Sequence, residues 1–578
     1  MFRANRRQLQ PALVSSVSEL PAKHQKRLAQ SWAGTFRQEF FSRLREEPFA
    51  VLYAEVDSRP NIPVNVLVSL DVLKAGFGWS DEELYDHFLY DLQVRYAVGL
   101  DSLAEGDFEL RTLYNFRGRV SHYNQAHGTN LLTAAFVDIT DQQLTAFKVH
   151  TALQRMDSTQ LASNIMDMTR LQLVVEGLQR LQRILSKADQ ERYAALFAPY
   201  IEGRSQKYTY RIKGPEATRE HLRLAGQALY QALLTLQADY AGEAVYQVLE
   251  RLFAENYRVE AATPLPKANR ELDSGCLQSL DDLEASYRTK ASKSYKGYVA
   301  NVTETCDPTN ELQLITAVQV APNNTDDQVL LAEIIPDLKQ RTDVQTLYTD
   351  GGYTGPQVDD VMRQQQMVQI PTAIRGLTPA SDKLTLADFV VLCDEQGRPA
   401  QITCPQGQTV PVLISHSKKG FTAHFGTPTC QTCPLQAGGR CPAQPGRRLR
   451  YFRFSFNPRQ LATAERRRRC AANKQADKNL RVAVEATVRS VKHPFPGGKL
   501  PVRGRFRMTC LVVASAAMTN IRRIQRYLAK QIQTDRIPNR LQPGRIAAAC
   551  PFLAHILARL SRLSRSALIH CQPAPTGS

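Results

Sequence analysis

Three acidic residues, far apart in the sequence, have the types and local settings of metal ligands. Asp157 lies at the end of a short strand-like segment that closes with Met156-Asp157-Ser158-Thr159, and Asp350 ends a second one before two glycines. Carboxylates at two strand ends can meet at one edge of a sheet, where Glu485 from a helix would complete a cluster. Three carboxylates suit Mg²⁺ or Mn²⁺, and two such ions about 3.5–4 Å apart support phosphoryl transfer. Each aspartate alone has a simpler interpretation as the first residue of a turn.

Glu485 lies in a helical pattern with basic neighbours. Residues of this pattern follow one another at spacings of four, four and three: Arg481, Glu485, Arg489 and Lys492. These spacings place them on one face of a helix predicted from about residue 479 to 492. Cations beside the carboxylate could hold phosphates next to a metal ion. An exposed helix with ordinary ion pairs is the alternative, although one acid among three bases is more than pairing requires.

The charge of the chain is concentrated in one stretch. The 578 residues carry a net charge of +18, which favours a polyanionic partner, either nucleic acid or an acidic membrane surface. From Arg440 to Lys530 there are 23 Lys or Arg and three Asp or Glu, so the rest of the chain is close to neutral. Phosphates would relieve the repulsion within this stretch, and a solvated charged face is the alternative. Within it, Arg466 and Arg467 are further candidate DNA contacts.

The sequence predicts a cytoplasmic protein. Its longest apolar runs, residues 510–518 and 547–557, are well short of the roughly 20 residues that a membrane-spanning helix needs. The N-terminus is basic but lacks the apolar core of a secretory signal. The eleven cysteines are mostly isolated, which is poor evidence for disulfides and is compatible with a reducing compartment.

Four of the cysteines are candidates for a second metal site. They are spaced C-x25-C-x2-C-x7-C among prolines and glycines: Cys404, Cys430, Cys433 and Cys441. Four thiolates could hold a structural Zn²⁺ that replaces a hydrophobic core in a small loop-rich insertion, with His416 and His424 as substitute ligands. Scattered reduced cysteines are the alternative interpretation.

The periodicity of apolar residues predicts an α/β fold with helical additions. Helical spacing begins at Val64, and Ser80 with Glu83 has the spacing of a capping box. Strands are predicted around Asp157, as a hairpin over 296–305 and 312–320, and at 346–349, with a helix at 326–338. Further helices are predicted at 508–530 and, as an amphipathic arm, at 556–568. A long helical pattern over 166–285 interrupts the strands.

These patterns predict five parts of the chain. They are a helical N-terminal domain (1–145), an α/β domain in three segments (146–165, 290–375 and 450–530), a helical insertion (166–289), a Cys-rich insertion (376–449) and a basic C-terminal arm (531–578).

Several of these segments resemble one family. Met156-Asp157-Ser158-Thr159-Gln160 and Tyr348-Thr349-Asp350-Gly351-Gly352-Tyr353 resemble the two aspartate motifs of bacterial insertion-sequence transposases with a DDE domain of ribonuclease H-like fold. The segment from Arg481 to Lys492 is similar to the signature around the glutamate of that family. The tyrosine that usually opens the signature would fall three residues before Arg481, where this chain has Lys478. Lys296-Gly297-Tyr298 and the N-terminal segments 59–63 and 80–84 also resemble the family, so the resemblance spans roughly residues 45 to 530.

The resemblance implies a fold, an activity and partners. It implies a ribonuclease H-like mixed sheet and a DNA transposase that binds the ends of its element, cleaves them and joins the 3′-hydroxyls to target DNA. Asp157, Asp350 and Glu485 would bind Mg²⁺ or Mn²⁺, and Arg481 and Lys492 would contact DNA near the scissile phosphate. Holding two ends implies a homodimer on DNA, at the nucleoid. The alternatives are a ribonuclease H-like nuclease or resolvase that cuts without joining, and a non-catalytic DNA-binding regulator.

Overall fold

The computed structural model describes residues 1–5, 14–54, 60–290, 292–375, 380, 382–415, 419–446, 450–475, 480–481 and 483–536. The chain divides into two units, Met1–Arg523 and Ile524–Ser578, and in the second unit the described residues 524–536 are helical. Arg59, His416, Lys478 and the helix predicted at 556–568 lie outside the described residues.

The N-terminal region is helical, as the apolar spacing predicts. Its α-helices are α1 (Ala22–Ala29), α2 (Trp32–Glu39), α3 (Val64–Phe77), α4 (Asp81–Tyr90), α5 (Leu92–Ala97), α6 (Leu110–His127) and α7 (Leu131–Ala146). The predicted capping box is confirmed, because Glu83 N donates to Ser80 Oγ at 3.1 Å and Ser80 N donates to the Glu83 carboxylate at 2.7 Å. Most residues of α3 are buried because this helix is apolar on nearly all sides.

A helical insertion follows strand β1 (Leu153–Leu161). It contains α8 (Arg170–Ile184), α9 (Lys187–Arg192), α10 (Ala194–Phe197), α11 (Ser205–Tyr210), α12 (Pro215–Tyr240) and α13 (Ala244–Asn256). The predicted helical pattern extends to residue 285, but the helices end at a hairpin of β2 (Tyr257–Glu260) and β3 (Thr263–Pro266). Pro264 and Pro266 do not fit a helix interior, because proline has no N–H to donate. The insertion has a hydrophobic core of its own.

The central sheet is mixed. Its remaining strands are β4 (Ser286–Lys290), β5 (Lys293–Thr305), β6 (Ile315–Pro322), β7 (Thr346–Thr349) and β8 (Val368–Pro371), with the helices α14 (Asp327–Arg341) and α15 (Pro356–Gln364) between them. β1 lies between β5, which is antiparallel to it, and β7, which is parallel to it. β8 extends the sheet beyond β7, and both β4 and β6 pair with β5. The predicted hairpin, the strand at 346–349 and the α/β class are confirmed.

One prediction about β1 is wrong. The strand does not end at Asp157 but continues to Leu161, so Asp157 lies in its middle. The cause is the antiparallel partner β5, which pairs with β1 from Gln154 opposite Thr305 to Leu161 opposite Tyr298.

The Cys-rich segment folds into a second, antiparallel sheet. Its strands are β9 (Val390–Cys393), β10 (Pro399–Thr403), β11 (Thr409–Ile414), β12 (Phe421–Gly426), β13 (Gln444–Pro445) and β14 (Tyr451–Phe456), with the short helices α16 (Thr427–Gln431) and α17 (Pro434–Ala437). Phe452, Phe454 and Phe456 alternate along β14 and pack with Phe389 and Phe425 in a hydrophobic core. The expectation of a loop-rich insertion without a hydrophobic core is therefore wrong.

The basic stretch ends in the helices α18 (Pro458–Gln475), α19 (Ala483–Lys492) and α20 (Arg505–Arg536). One hydrophobic core contains residues of α3, β5, α19 and α20, among them Leu70, Val302, Val488 and Met518. At Gly76 in α3, a Cβ atom would lie 2.2 Å from Met518 Cγ, so this contact requires glycine. The N-terminal helices therefore share one core with the sheet. Among the described residues, no helix combines the length and the apolar composition needed to cross a membrane.

Candidate active site

Asp157 lies on β1, and Asp350 directly follows the neighbouring parallel strand β7. In the register of β1 and β7, Arg155 is opposite Tyr348. Two positions further along both segments, Asp157 is level with Asp350, the first residue after β7. Neighbouring strands are about 4.8 Å apart. The two aspartates interact electrostatically, since burial raises the pKa of Asp157 and the nearby Asp350 raises it further, against the effect of Arg481. The structure therefore brings together two of the three predicted ligands.

The carboxylate of Asp157 is enclosed by polar contacts. Only 8% of the residue is exposed. Its Oδ1 accepts a hydrogen bond from Ser158 N at 2.9 Å, and its Oδ2 lies 2.9 Å from Arg481 Nη2. In this structure a guanidinium, and no second carboxylate, is its closest charged partner.

Asp350 is held by the glycine turn that follows it. Its Oδ1 accepts a hydrogen bond from Gly352 N at 2.7 Å, which begins a 3-10 turn over Gly351–Tyr353. A Cβ atom at position 352 would lie 2.9 Å from Asp327 Oδ2 and 3.0 Å from Asp350 Oδ1. Two carboxylates therefore approach this backbone closely, which explains the glycine after Gly351.

A fourth acidic residue, Asp327, belongs to this group and is missing from the sequence predictions. It is the first residue of α14 and is 5% exposed. Its Oδ1 accepts a hydrogen bond from Ser158 Oγ at 2.9 Å, and its Oδ2 lies 3.7 Å from Arg288 Nη2. Burial raises its pKa, and Asp350 adds to that effect. In the sequence, Asp326-Asp327 before a helix indicates only an N-cap.

The raised pKa of Asp327 predicts a pH-dependent stability. An acid whose pKa is raised on folding contributes stability that is fully present below its ordinary value of 3.8 and is lost as the pH rises through the raised value. Asp327→Asn removes this titration. We expect the free energy of unfolding, measured with urea at several pH values, to fall in wild type relative to the variant as the pH rises above 3.8. A constant difference at all pH values would contradict this, and Asp360→Asn, at an exposed carboxylate, is the control.

Glu485 does not lie beside the aspartates. It projects from α19 with a side chain that is 62% exposed. Arg481 connects it to the buried group, because Nη1 lies 3.4 Å from Glu485 Oε1 while Nη2 contacts Asp157. The expectation that Arg481 lies within the same helix is wrong, since α19 begins at Ala483.

The guanidinium of Arg481 lies between the carboxylates of Asp157 and Glu485, two of the residues that would hold a metal ion. Carboxylate oxygens are the ligands that Mg²⁺ prefers, so the side chains of the predicted triad are suitable ligands for this ion. The arrangement is not that of a formed metal site. In the part of the chain that the structure describes, no three His, Cys, Asp or Glu side chains form a group that could hold a metal ion.

Two of the predicted DNA contacts are engaged inside the protein. Lys492 Nζ donates to Thr159 Oγ1 at 3.1 Å and to Gln160 O at 2.6 Å, which anchors α19 on β1. Burial lowers the pKa of Lys492, and Lys293 lowers it further. Arg466 is 7% exposed and its Nη2 lies 3.7 Å from Asp359 Oδ2. In this structure both side chains therefore contact protein groups, and their contact with DNA stays a prediction.

Other basic side chains remain accessible. Arg489 is exposed on α19, one turn after Glu485, and Arg467 is partly exposed on α18. These two residues stay candidates for phosphate contacts.

The four cysteines lie around one small cavity. Cys404, Cys430, Cys433 and Cys441 line a space of about 20 Å³ beside Phe389 and Phe425. All four are free thiols. Burial raises the pKa of Cys430 to about 11, with smaller contributions from the other three cysteines. His424 stacks on the ring of Tyr451, which does not favour its role as a substitute ligand.

Comparison with known families adds a finding about the C-terminal half. Residues 403–525 match the family described as "Transposase DDE domain". The matched segment contains the cysteines, α18, α19 with Glu485 and most of α20, and it lies after both aspartates in the sequence. No curated protein and no solved structure matches the chain. The match supports a DDE transposase, and the matched residues 403–525 include Glu485 but neither Asp157 nor Asp350.

Proposed function

We propose that this transposase binds the ends of its own element, cleaves the DNA there and joins the freed 3′-hydroxyls to target DNA. Asp157, Asp350 and Glu485 are its triad. The observation that carries the proposal is that Asp157 on β1 lies level with Asp350, directly after the parallel strand β7, with Glu485 joined to Asp157 through one guanidinium. The mixed sheet and its large helical insertion support a ribonuclease H-like catalytic domain.

The triad is proposed to work with Mg²⁺ or Mn²⁺. Bound to these oxygens, the metal would neutralise phosphate charge and favour ionisation of the attacking hydroxyl. Asp157 becomes available as a ligand only when Arg481 leaves it. A DNA phosphate is a competing partner for Arg481, because guanidinium groups bind phosphate through paired hydrogen bonds. DNA entry and exposure of Asp157 are therefore coupled in this proposal.

DNA is proposed to lie along the basic stretch. Glu485 and Arg489 are both exposed on α19, so a backbone that reaches the triad passes Arg489. Two DNA ends must be held for joining, so the working form is proposed to be a homodimer on DNA, at the nucleoid.

A reaction that separates cutting from joining tests the function. The purified protein is incubated with Mg²⁺, a supercoiled target plasmid and a linear duplex that carries both flanks of the gene. We expect cleavage at defined positions in the flanks and covalent insertion of the cleaved duplex into the plasmid. Cleavage without insertion would instead identify a nuclease or resolvase, and binding without cleavage would identify a regulator.

We further propose that the four cysteines hold a structural Zn²⁺. All four thiols line one cavity, no described disulfide ties them, and four thiolates complete the coordination of a structural zinc site. Their side chains would have to turn toward a common centre, since the structure shows no formed site among the described residues.

Elemental analysis checks this proposal. Protein purified without chelators is expected to carry about one zinc per chain. Cys433→Ser should remove most of the metal and lower the melting temperature, because zinc binding contributes to folding free energy. Cys393→Ser, at an exposed cysteine outside the cavity, is the control and should keep the metal. Wild-type protein without zinc would refute the proposal.

A further inference from the structure

A buried ion network lies directly behind the triad. Glu304 on β5 has a side chain with no exposed surface. Its Oε1 lies 2.6 Å from Arg155 Nε, and its Oε2 lies 2.7 Å from Arg523 Nη1. The same Oε2 accepts a hydrogen bond from Thr487 Oγ1 at 2.7 Å, and Thr487 also contacts Arg523. One carboxylate therefore connects β1, β5, α19 and the first unit's part of α20.

The network is continuous with the candidate site through β1. Arg155, Asp157 and Thr159 alternate along the strand and so share one face. Each contacts the segment that carries Glu485: Arg155 Nη1 donates to Leu480 O at 2.6 Å, Asp157 pairs with Arg481, and Thr159 Oγ1 accepts from Lys492 Nζ. This face of β1 therefore holds both ends of the segment 480–492.

The position of Thr487 determines which way Glu485 points. Residues two apart in an α-helix point about 200° apart, since each residue turns the helix by about 100°. Thr487 is 2% exposed and faces Glu304, whereas Glu485 faces outward. Holding Thr487 inward therefore fixes the rotation of α19 and, with it, the outward direction of Glu485.

We propose that Glu304 is a positioning residue for Glu485. Its carboxylate is held between Arg155 and Arg523 and accepts a hydrogen bond from the Thr487 hydroxyl. This hydrogen bond sets the rotation of α19. This inference rests on the proposed function, because it assigns Glu485 a part in the reaction. Glu304 itself contacts protein groups and is not assigned a contact with DNA.

Hydrogen exchange and kinetics on the full-length protein test this role. Glu304→Gln keeps the shape but removes the charge, and we expect amides 483–492 to exchange about tenfold faster or more, as in a locally loosened segment. We expect kcat for cleavage of the flank duplex with Mg²⁺ to fall about 10²-fold, because small displacements of catalytic groups have effects of this size. KM should change less than about threefold, because the DNA contacts remain.

Matched variants separate positioning from a general loss of stability. Glu46→Gln replaces another buried carboxylate, which accepts a hydrogen bond from Val64 N and takes no part in the Glu304 network. This variant should change neither the exchange of 483–492 nor kcat per folded molecule. If Glu304→Gln does not fold, Thr487→Val removes the hydroxyl that reaches Glu304, and Thr487→Ser restores it. We expect faster exchange and a lower kcat in the valine variant alone.

The outcomes distinguish the inference from the proposed function. Unchanged exchange of 483–492 in Glu304→Gln, or in Thr487→Val where the first variant does not fold, would overturn the inference. So would faster exchange with an unchanged kcat, since Glu304 would then have only a structural role. If wild type does not cleave DNA, the proposed function fails, and the exchange data still decide whether Glu304 holds α19.

Discussion

Asp157→Asn and Asp350→Asn are each expected to lower the rate of DNA cleavage by at least about 10³-fold, since a lost metal ligand removes several kcal/mol of transition-state stabilisation. The affinity for DNA should change less than about threefold, because neither aspartate supplies the cations that bind phosphates. Single-turnover cleavage of the flank duplex measures the rate, and a gel-shift titration measures the affinity. Wild-type rates in either variant would contradict the assignment of these ligands.

A buried aspartate outside the site provides the control for this experiment. Asp282 is 2% exposed and accepts hydrogen bonds from Tyr298 and from Gly504 N. Asp282→Asn should lower cleavage only as far as it lowers the fraction of folded protein. Asp157→Asn also leaves Arg481 without its buried partner, so the unfolding of each variant has to be measured beside its rate.

Arg481→Gln is expected to strengthen Mn²⁺ binding to the DNA-free protein by about tenfold, the equivalent of one charge-assisted hydrogen bond. The reason is that Arg481 contacts both Asp157 and Glu485 and competes with any cation for them. The same variant should cleave DNA more slowly, because it loses the group that is proposed to move to a phosphate. Isothermal titration with Mn²⁺ measures the first effect.

A distant cation shows whether this effect is local. Arg363→Gln removes the same charge at a side chain that is 74% exposed, so its Mn²⁺ affinity should equal that of wild type. Equal Mn²⁺ affinity in Arg481→Gln and wild type would contradict the competition between Arg481 and the metal.

Local features of the fold were predictable because they depend on neighbouring residues. The capping box of Ser80 and Glu83 involves atoms within one helical turn. The strand Thr346–Thr349 ends at a glycine turn that is visible in the sequence. The prediction for β1 failed because its length is set by β5, which lies more than 100 residues later and pairs with β1 as far as Leu161.

The candidate site was predictable in its residue types and only partly in its arrangement. Asp327 was missed because an aspartate at the start of a helix has a sufficient local explanation, while its approach to Gly352 and Ser158 depends on the packing of α14. The contact of Arg466 with Asp359 was not predictable from the basic run, because α15, which carries Asp359, is distant in the sequence. The aromatic residues of β14 were not recognised as a core because their partners lie on other strands.

The sequence by itself determined the residue types on which the proposed chemistry depends: the three acidic residues, the basic stretch from Arg440 to Lys530 and the order of motifs that resembles DDE transposases. These properties belong to single side chains and to local spacing. Only the tertiary structure decided that Asp157 lies level with Asp350, that Arg481 separates Asp157 from Glu485, and that Glu304 connects α19 to the sheet. Those contacts join residues up to several hundred positions apart, and their geometry follows from strand register and core packing, which local spacing does not encode.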